Sequence, residues 1–198
     1  MKIIKQSVEL LWITPEPEKK IECAGRTCYK SEDKITEKSA SEFCGRMKKN
    51  GHYPMLEHAS ASFRIVTDRG ISHEIVRHRI ASYAQESTRY CNYSKDKFSN
   101  ECSFIEPPNL TGFQRVHWQI ACKIAERNYF NLLESGCTPQ IARSVLPTCL
   151  KTEIVMTCNL REWMYFIQLR GSKAAHPQIR VIANSIEAEL KTVTPSIF

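Results

Sequence analysis

His58-Ala59-Ser60-Ala61-Ser62-Phe63-Arg64-Ile65-Val66-Thr67 runs through Asp68-Arg69-Gly70 into Ile71-Ser72-His73-Glu74-Ile75-Val76-Arg77-His78-Arg79. The first part alternates. Ala59, Ala61, Phe63 and Ile65 fall on one side and Ser60, Ser62 and Arg64 on the other, the two-residue period of a half-buried strand. Asp68-Arg69-Gly70 has the composition of a turn. Ile71 and Ile75 then recur at helical spacing, so Ile71 to Arg79 reads as a short helix.

The same mixture extends outward. Upstream, Lys2 to Thr14 reads as a strand ended by Pro15 and Pro17, and Glu18 to Cys28 and Glu37 to Asn50 read as helices. Downstream, Thr111 can cap a long helix in which Phe113, Val116, Ile120, Ile124 and Leu132 recur at helical spacing, with Gly136 closing it. That apolar stripe is expected to face the core. Pro139 to Arg143 is a short helix stopped by Pro147, and Lys151 to Thr157 is a strand rich in β-branched residues. Leu160 to Arg170 and Ala174 to Lys191 are the final helices. Strand–helix–strand units do not repeat regularly. The expected class is α+β, a single domain over residues 1–198 with a central antiparallel or mixed sheet flanked by helices.

Composition sets bounds. The chain has 198 residues, 42% hydrophobic and 25% charged, which suits one soluble globular domain. Its net charge of +7 favours phosphate-bearing partners, but no long Lys/Arg run marks a nucleic-acid tail. Neither a signal peptide nor an apolar run of membrane-spanning length is visible. The nine cysteines are odd in number and contain no Cys-x-x-Cys, so reduced, buried thiols in the cytoplasm are expected. His73 and His78 are five apart, not the four of a metal-binding helix pair, and no metal site is expected.

The chemistry concentrates between Arg77 and Tyr90. Arg77, His78, Arg79, Ser87 and Arg89 crowd a segment with little to bury, and arginine forms bidentate contacts to anions that lysine cannot. On the helix, His73 and Arg77 would share a face, as would Glu74 and His78. If Ser82 to Tyr90 is extended, Gln85, Ser87 and Arg89 point the same way. A serine nucleophile at Ser87 would need an aligned base, so ligand positioning is the better reading.

Arg77-His78-Arg79, seven residues and then Ser87, with Arg89 two further on, resembles the signature of the flavin-dependent thymidylate synthases. Four more segments are similar in order and spacing between about Lys20 and Ser185: Gly51-His52 with Glu57-His58, Ala142-Arg143 with Leu146-Pro147, Asn159 and Arg161 with Leu169-Arg170, and Ala175 to Arg180. The resemblance implies a homotetramer that methylates dUMP to dTMP. Methylenetetrahydrofolate gives the carbon, FAD carries the hydride, and NADPH re-reduces the flavin. It implies FAD contacts from Arg77, His78, Arg79, Gln85, Asn159, Arg161 and Tyr165. It implies dUMP contacts from Glu74, Arg77, Gln85, Glu86, Ser87, Thr88, Arg89, Arg143 and Arg170, with Arg170 on the uracil as the catalytic residue. Ala84, Gln85, Glu74, Tyr165, Pro54 and His176-Pro177 depart from the residues more frequent in that family. The rival is a basic RNA- or single-strand-binding module, in which Tyr83, Tyr90 and Tyr93 would stack bases beside the arginines.

Overall fold

A computed structural model of the chain describes residues 1–95 and 98–198. The fold is α+β. Strands β1 (Lys2–Ile4) and β5 (Ser103–Ile105) form a two-stranded parallel sheet with Lys2 opposite Ser103. Strands β2 (Ser7–Ile13), β3 (Ser60–Asp68), β6 (Lys151–Asn159) and β4 (Ser82–Gln85) form a second sheet in that order. Hydrogen bonds from Arg69 N to Leu150 O and from Leu160 N to Ala59 O bracket β3 and β6 in antiparallel register. The helices are α1 (Pro17–Thr27), α2 (Ser39–Lys49), α3 (Arg69–Ile75), α4 (Gly112–Glu134), α5 (Pro139–Ala142), α6 (Leu160–Arg170) and α7 (Pro177–Val193). None is long and apolar enough to cross a membrane among the described residues.

The chain divides into two compact units. Met1–Ser7, Ile65–Arg77 and Ala84–Ile154 form the first; Val8–Arg64, His78–Tyr83 and Val155–Phe198 form the second. In the first, Tyr93, Cys102, Phe104, Cys122, Tyr129 and Leu150 make a buried cluster. Helix α4 enters it from a capping box: Thr111 Oγ1 accepts from Gln114 N at 3.3 Å and Gln114 Oε1 accepts from Thr111 N at 2.9 Å. In the second unit, Trp163 is fully buried, edge-on to Phe63 at 5.0 Å, and donates from Nε1 to Ala61 O at 3.0 Å. That bond satisfies the one polar atom of its largest core side chain.

Four local expectations change. Lys2 to Thr14 is two strands in different sheets, not one. Its apolar residues do not keep one parity (Ile3 and Leu11 are odd, Ile4 and Leu10 even), so no single strand puts them on one face. Asp68-Arg69-Gly70 is not a turn. Asp68 caps α3, accepting from Ile71 N at 2.7 Å, so the helix begins at Arg69 and ends at Ile75 rather than Arg79. The last helix starts at Pro177, whose fixed φ suits the first helical position, and runs to Val193. Finally, of the α4 stripe Leu132 packs against the core, but the four residues before it do not. Phe113 is 76% exposed, Val116 53%, Ile120 49% and Ile124 45%. The helix buries its other side through Cys122 and Tyr129. A helical apolar period identifies a face to be covered, not what covers it.

Candidate active site

The arginine-rich stretch is divided between the two units, and each part has its own surroundings. In the first unit, β4 ends at Gln85 and the chain turns, with Ser87 O accepting from Tyr90 N at 3.2 Å and from Cys91 N at 2.9 Å. The extended run expected to Tyr90 is therefore shorter, and Gln85, Ser87 and Arg89 do not share one side. Gln85 Nε2 is held by Ser72 Oγ at 2.9 Å and Thr152 Oγ1 at 3.1 Å. Ser87 Oγ accepts from Arg89 N at 3.3 Å, which leaves the hydroxyl stabilising the turn rather than facing a general base. Thr88 is buried and accepts from Arg143 Nη1 at 3.0 Å. The Arg89 guanidinium lies over the Tyr90 ring, 5.2 Å from its centroid.

Arg143 and Thr88 belong to a cavity of about 260 Å³ that Arg69, His73, Ser144 and Thr148 also line. Two permanent positive charges and three hydroxyls face it, and no carboxylate lines it among the described residues. Arg69 Nη1 reaches Glu86 O and Thr152 Oγ1, each at 3.4 Å, which ties the cavity wall to the turn. The volume is below the roughly 300–1,000 Å³ of a pocket enclosing a whole ligand, so it suits the anionic end of one.

Glu86 faces a different cavity, of about 470 Å³, lined by Lys2, Lys5, Lys151, Tyr93, Glu101 and Glu153 among others. Its carboxylate takes Lys151 Nζ at 3.0 Å and Tyr93 OH at 3.3 Å, and its N–H donates to Glu153 O at 2.8 Å. Burial pulls the Lys151 ammonium down, but its bonds to Glu153 and Glu86 outweigh that and hold it above the ordinary lysine value. Neither the backbone N–H nor the side chain of Glu86 is offered to the arginine cavity. Glu74 lies half-buried on α3, and Arg77 is exposed with its N–H on Glu74 O at 3.3 Å.

In the second unit, His78 is the centre. Its side chain is 3% exposed, with Nε2 at 3.0 Å from Glu162 Oε2. Phe166 meets the imidazole edge-on at 5.8 Å and Tyr165 tilts against it at 5.7 Å. Burial lowers the His78 pKa; Glu162 opposes that and the positive charge of Arg170 adds to it. Burial thus favours the neutral imidazole, and Nε2 lies close to Glu162 without a well-aligned hydrogen bond to it. Tyr83 OH donates to His78 O, and burial pushes that phenol up to about 12. Because α3 stops at Ile75, Glu74 and His78 do not lie on one helix face as the sequence suggested.

Helix α6 supplies most of the rest. Asn159 caps it, Oδ1 accepting from Glu162 N at 2.9 Å. Arg161 Nη1 meets Glu57 Oε1 at 2.5 Å in an exposed pair. Such a pair is worth about 0–1 kcal/mol, so little holds the guanidinium from an incoming anion. Tyr165 is 55% exposed and Arg79 also reaches solvent. An apolar cavity of about 420 Å³ brings together Gly51, His52 and Pro54 with Tyr29, Met47 and Met55.

Comparison with known proteins decides the family. A profile described as Thymidylate synthase complementing protein matches residues 9–196. A flavin-dependent thymidylate synthase of Geobacter sulfurreducens is 34% identical over 200 residues, covering 96% of this chain and 84% of the relative. Those of Mycobacterium sp. (strain JLS) and Clostridium tetani are 34% and 31% identical, covering 90% and 96% of this chain and 77% and 84% of the relatives. The chain belongs to the flavin-dependent thymidylate synthase family. It is accordingly a methyltransferase. The fold agrees: a UMP/dUMP methylase, PolB of Streptomyces cacaoi, solved with 5-Br dUMP, matches with a TM-score of 0.84 at 23% identity, covering 100% of this chain and 95% of that one.

For a flavin-dependent thymidylate synthase, the division of residues between the units is informative. Every residue expected at dUMP except Arg170 lies in the first unit, and every residue expected at flavin except Arg77 and Gln85 lies in the second. Arg69, His73, Ser144, Thr148 and Glu162 were missed from sequence. For the first two a signal existed: with Asp68 as an N-cap, Arg69 and His73 fall four apart on one helix face. Glu162 follows likewise from Asn159 as the cap of α6.

Proposed function

We propose that residues 1–198 act as one thymidylate synthase domain that methylates dUMP to dTMP, with methylenetetrahydrofolate as carbon donor, FAD as hydride carrier and NADPH as reductant. The arginine-lined cavity beside the Ser87–Tyr90 turn carries this reading, because it offers charge and hydroxyls to an anion without an opposing carboxylate. Arg143, Thr88 and Ser87 bind the dUMP phosphate end, Arg89 closes the turn over it, and Glu74, Arg77 and Gln85 complete the nucleotide contacts. Glu86 contributes through Lys151 and Tyr93, by holding the turn from behind.

The residues of the second unit fit a flavin. Tyr165 presents an open ring beside His78, and Arg79 and Arg161 present guanidinium groups at the surface for its phosphates. Arg77, Gln85 and the Asn159 amide complete that set. When bound, FAD supplies the hydride chemistry. The protein binds and orients. Arg170 stabilises negative charge on the uracil ring, which makes the ring carbon electron-rich enough to take the one-carbon unit; an arginine does this without titrating. His78, buried beside Glu162 and packed against Tyr165 and Phe166, keeps its ring orientation through that packing.

The exposed Phe113–Ile124 face of α4 supports a homotetramer, since an apolar stripe of this kind is ordinarily covered. Ile120→Asp is expected to lower the assembly's mass in sedimentation. Nine free cysteines fit a reducing cytoplasm. The protein is expected to purify yellow and to bleach with NADPH under anaerobic conditions. It should then form dTMP once dUMP and methylenetetrahydrofolate are added. A colourless protein that ignores FAD and binds oligonucleotides with a steep salt dependence would make it the nucleic-acid module instead.

A further inference from the structure

Two sulfurs outside the proposed chemistry stand in contact. Cys122 Sγ, on α4, lies 3.5 Å from Cys149 Sγ, just before β6. A disulfide needs about 2.05 Å between sulfurs, so closure asks for roughly 1.5 Å of travel. The two thiols differ in access. Cys122 is 1% exposed within the aromatic cluster of the first unit, whereas Cys149 is half-buried at its edge.

The backbone around Cys149 is held on both sides. Its carbonyl accepts from Ile105 N at 3.0 Å, Thr148 O accepts from Gly70 N at 3.1 Å, and Leu150 O accepts from Arg69 N at 3.1 Å. The sulfur is thus delivered to Cys122 by a fixed scaffold rather than by a mobile loop. Either thiol can donate in the contact between them, and the Trp118 indole also bonds to Cys149, which favours its thiolate against the effect of burial. The contact with Cys149 and the near-complete burial of Cys122 raise the Cys122 thiol pKa. Access sets the order: a reagent reaches the half-exposed Cys149, which makes it the nucleophile, and the buried Cys122 is its resolving partner.

We infer that Cys122 and Cys149 form a thiol pair that a small aliphatic disulfide closes into an intrachain bridge. The Cys149 thiolate attacks one reagent sulfur and releases the other half as a thiolate. Cys122 then attacks Cys149 Sγ and releases the second half. Two cysteine thiols lose two electrons and two protons, and one reagent disulfide becomes two thiols. The bridge ties α4 to the Thr148–Leu150 segment, one wall of the arginine-lined cavity. It is thus a modification site beside the proposed nucleotide end, and its existence does not depend on that assignment.

Oxidised glutathione is the probe. The native full-length protein is treated, remaining thiols are alkylated, and the chain is digested with trypsin. Cys122 falls in the peptide 116–123 and Cys149 in 144–151, each with no other cysteine. The expected product is these two peptides linked, two hydrogens lighter than their sum, and separated by dithiothreitol. Cys122→Ser should leave a stable glutathione adduct on Cys149, and Cys149→Ser should leave Cys122 unreactive until the protein is denatured. The exposed Cys23 and Cys28 serve as internal controls that take up reagent in every variant. Recovery of the two peptides unlinked from the native protein overturns the pair. Unchanged Cys122 reactivity in Cys149→Ser overturns the order of attack.

Discussion

The two compact units treat their charged residues in opposite ways. In the first, Arg69 and Arg143 line a cavity with hydroxyls for company, and the neighbouring acids, Glu86 and Glu153, are drawn off by Lys151. In the second, His78 is packed between Glu162, Tyr165 and Phe166 and loses its charge to burial. One unit keeps cationic groups open to an anion; the other presents aromatic surface around a neutral imidazole. A single crowded motif can therefore serve two chemistries, because the chain passes from one unit to the other after Arg77 and returns after Tyr83.

Arg170 bears on this contrast most, since it lies in the second unit yet is proposed to act on the uracil. Arg170→Ala should reduce dTMP formation by about 1,000-fold, the scale of losing a group that stabilises developing charge, while bound flavin absorbance is unchanged. Turnover near wild type would remove the catalytic role. Arg143→Ala comes next. Losing a charged hydrogen-bond donor at a phosphate is worth roughly 1.5–3 kcal/mol, or about 10- to 150-fold in dUMP affinity. Deoxyuridine, which lacks the phosphate, should bind both proteins alike; an equal loss for both ligands would mean collapse of the turn.

Arg89→Ala should cost less, about tenfold in dUMP affinity. Its guanidinium is exposed over Tyr90 and reaches a ligand from outside the cavity. Titration of FAD into the same variant should give a wild-type constant, and a matching loss of FAD would deny that the turn belongs to one ligand. The smallest effect concerns pH. His78 has a lowered pKa in the folded protein, so the unfolded chain takes up its proton first as pH falls. The stability it contributes is complete above the unfolded imidazole value of about 6.5 and is lost as pH falls through that value and the lower folded one. In His78→Gln the melting temperature should fall less between about pH 7 and 5 than in wild type. Parallel curves would show that the imidazole is not buried neutral.

Much of this was legible in the residues. The alternation of Ala59 to Ile65 placed β3, and the Thr111 cap and Gly136 stop bounded α4. Periodicity is local, and local rules read it. What escaped depends on tertiary surroundings. Asp68-Arg69-Gly70 has both turn and cap chemistry, and only the bond from Ile71 N settles it as a cap. The α4 stripe showed that a face needs covering, not that it faces outward from its own chain. Gln85 and Ser87 were grouped by strand parity, which ends where the strand does. The expectation of buried thiols failed at Cys23 and Cys28 because α1 turns that edge to solvent.

Whether the arginine-lined cavity and the Arg161 end of α6 serve different ligands is decided by paired titrations. FAD and dUMP are titrated separately into Arg143→Ala and Arg161→Ala, with flavin fluorescence and calorimetry as readouts. A crossed result is expected: Arg143→Ala loses dUMP affinity and keeps FAD, and Arg161→Ala loses FAD affinity and keeps dUMP. Both variants losing the same ligand, or both ligands together, would contradict it.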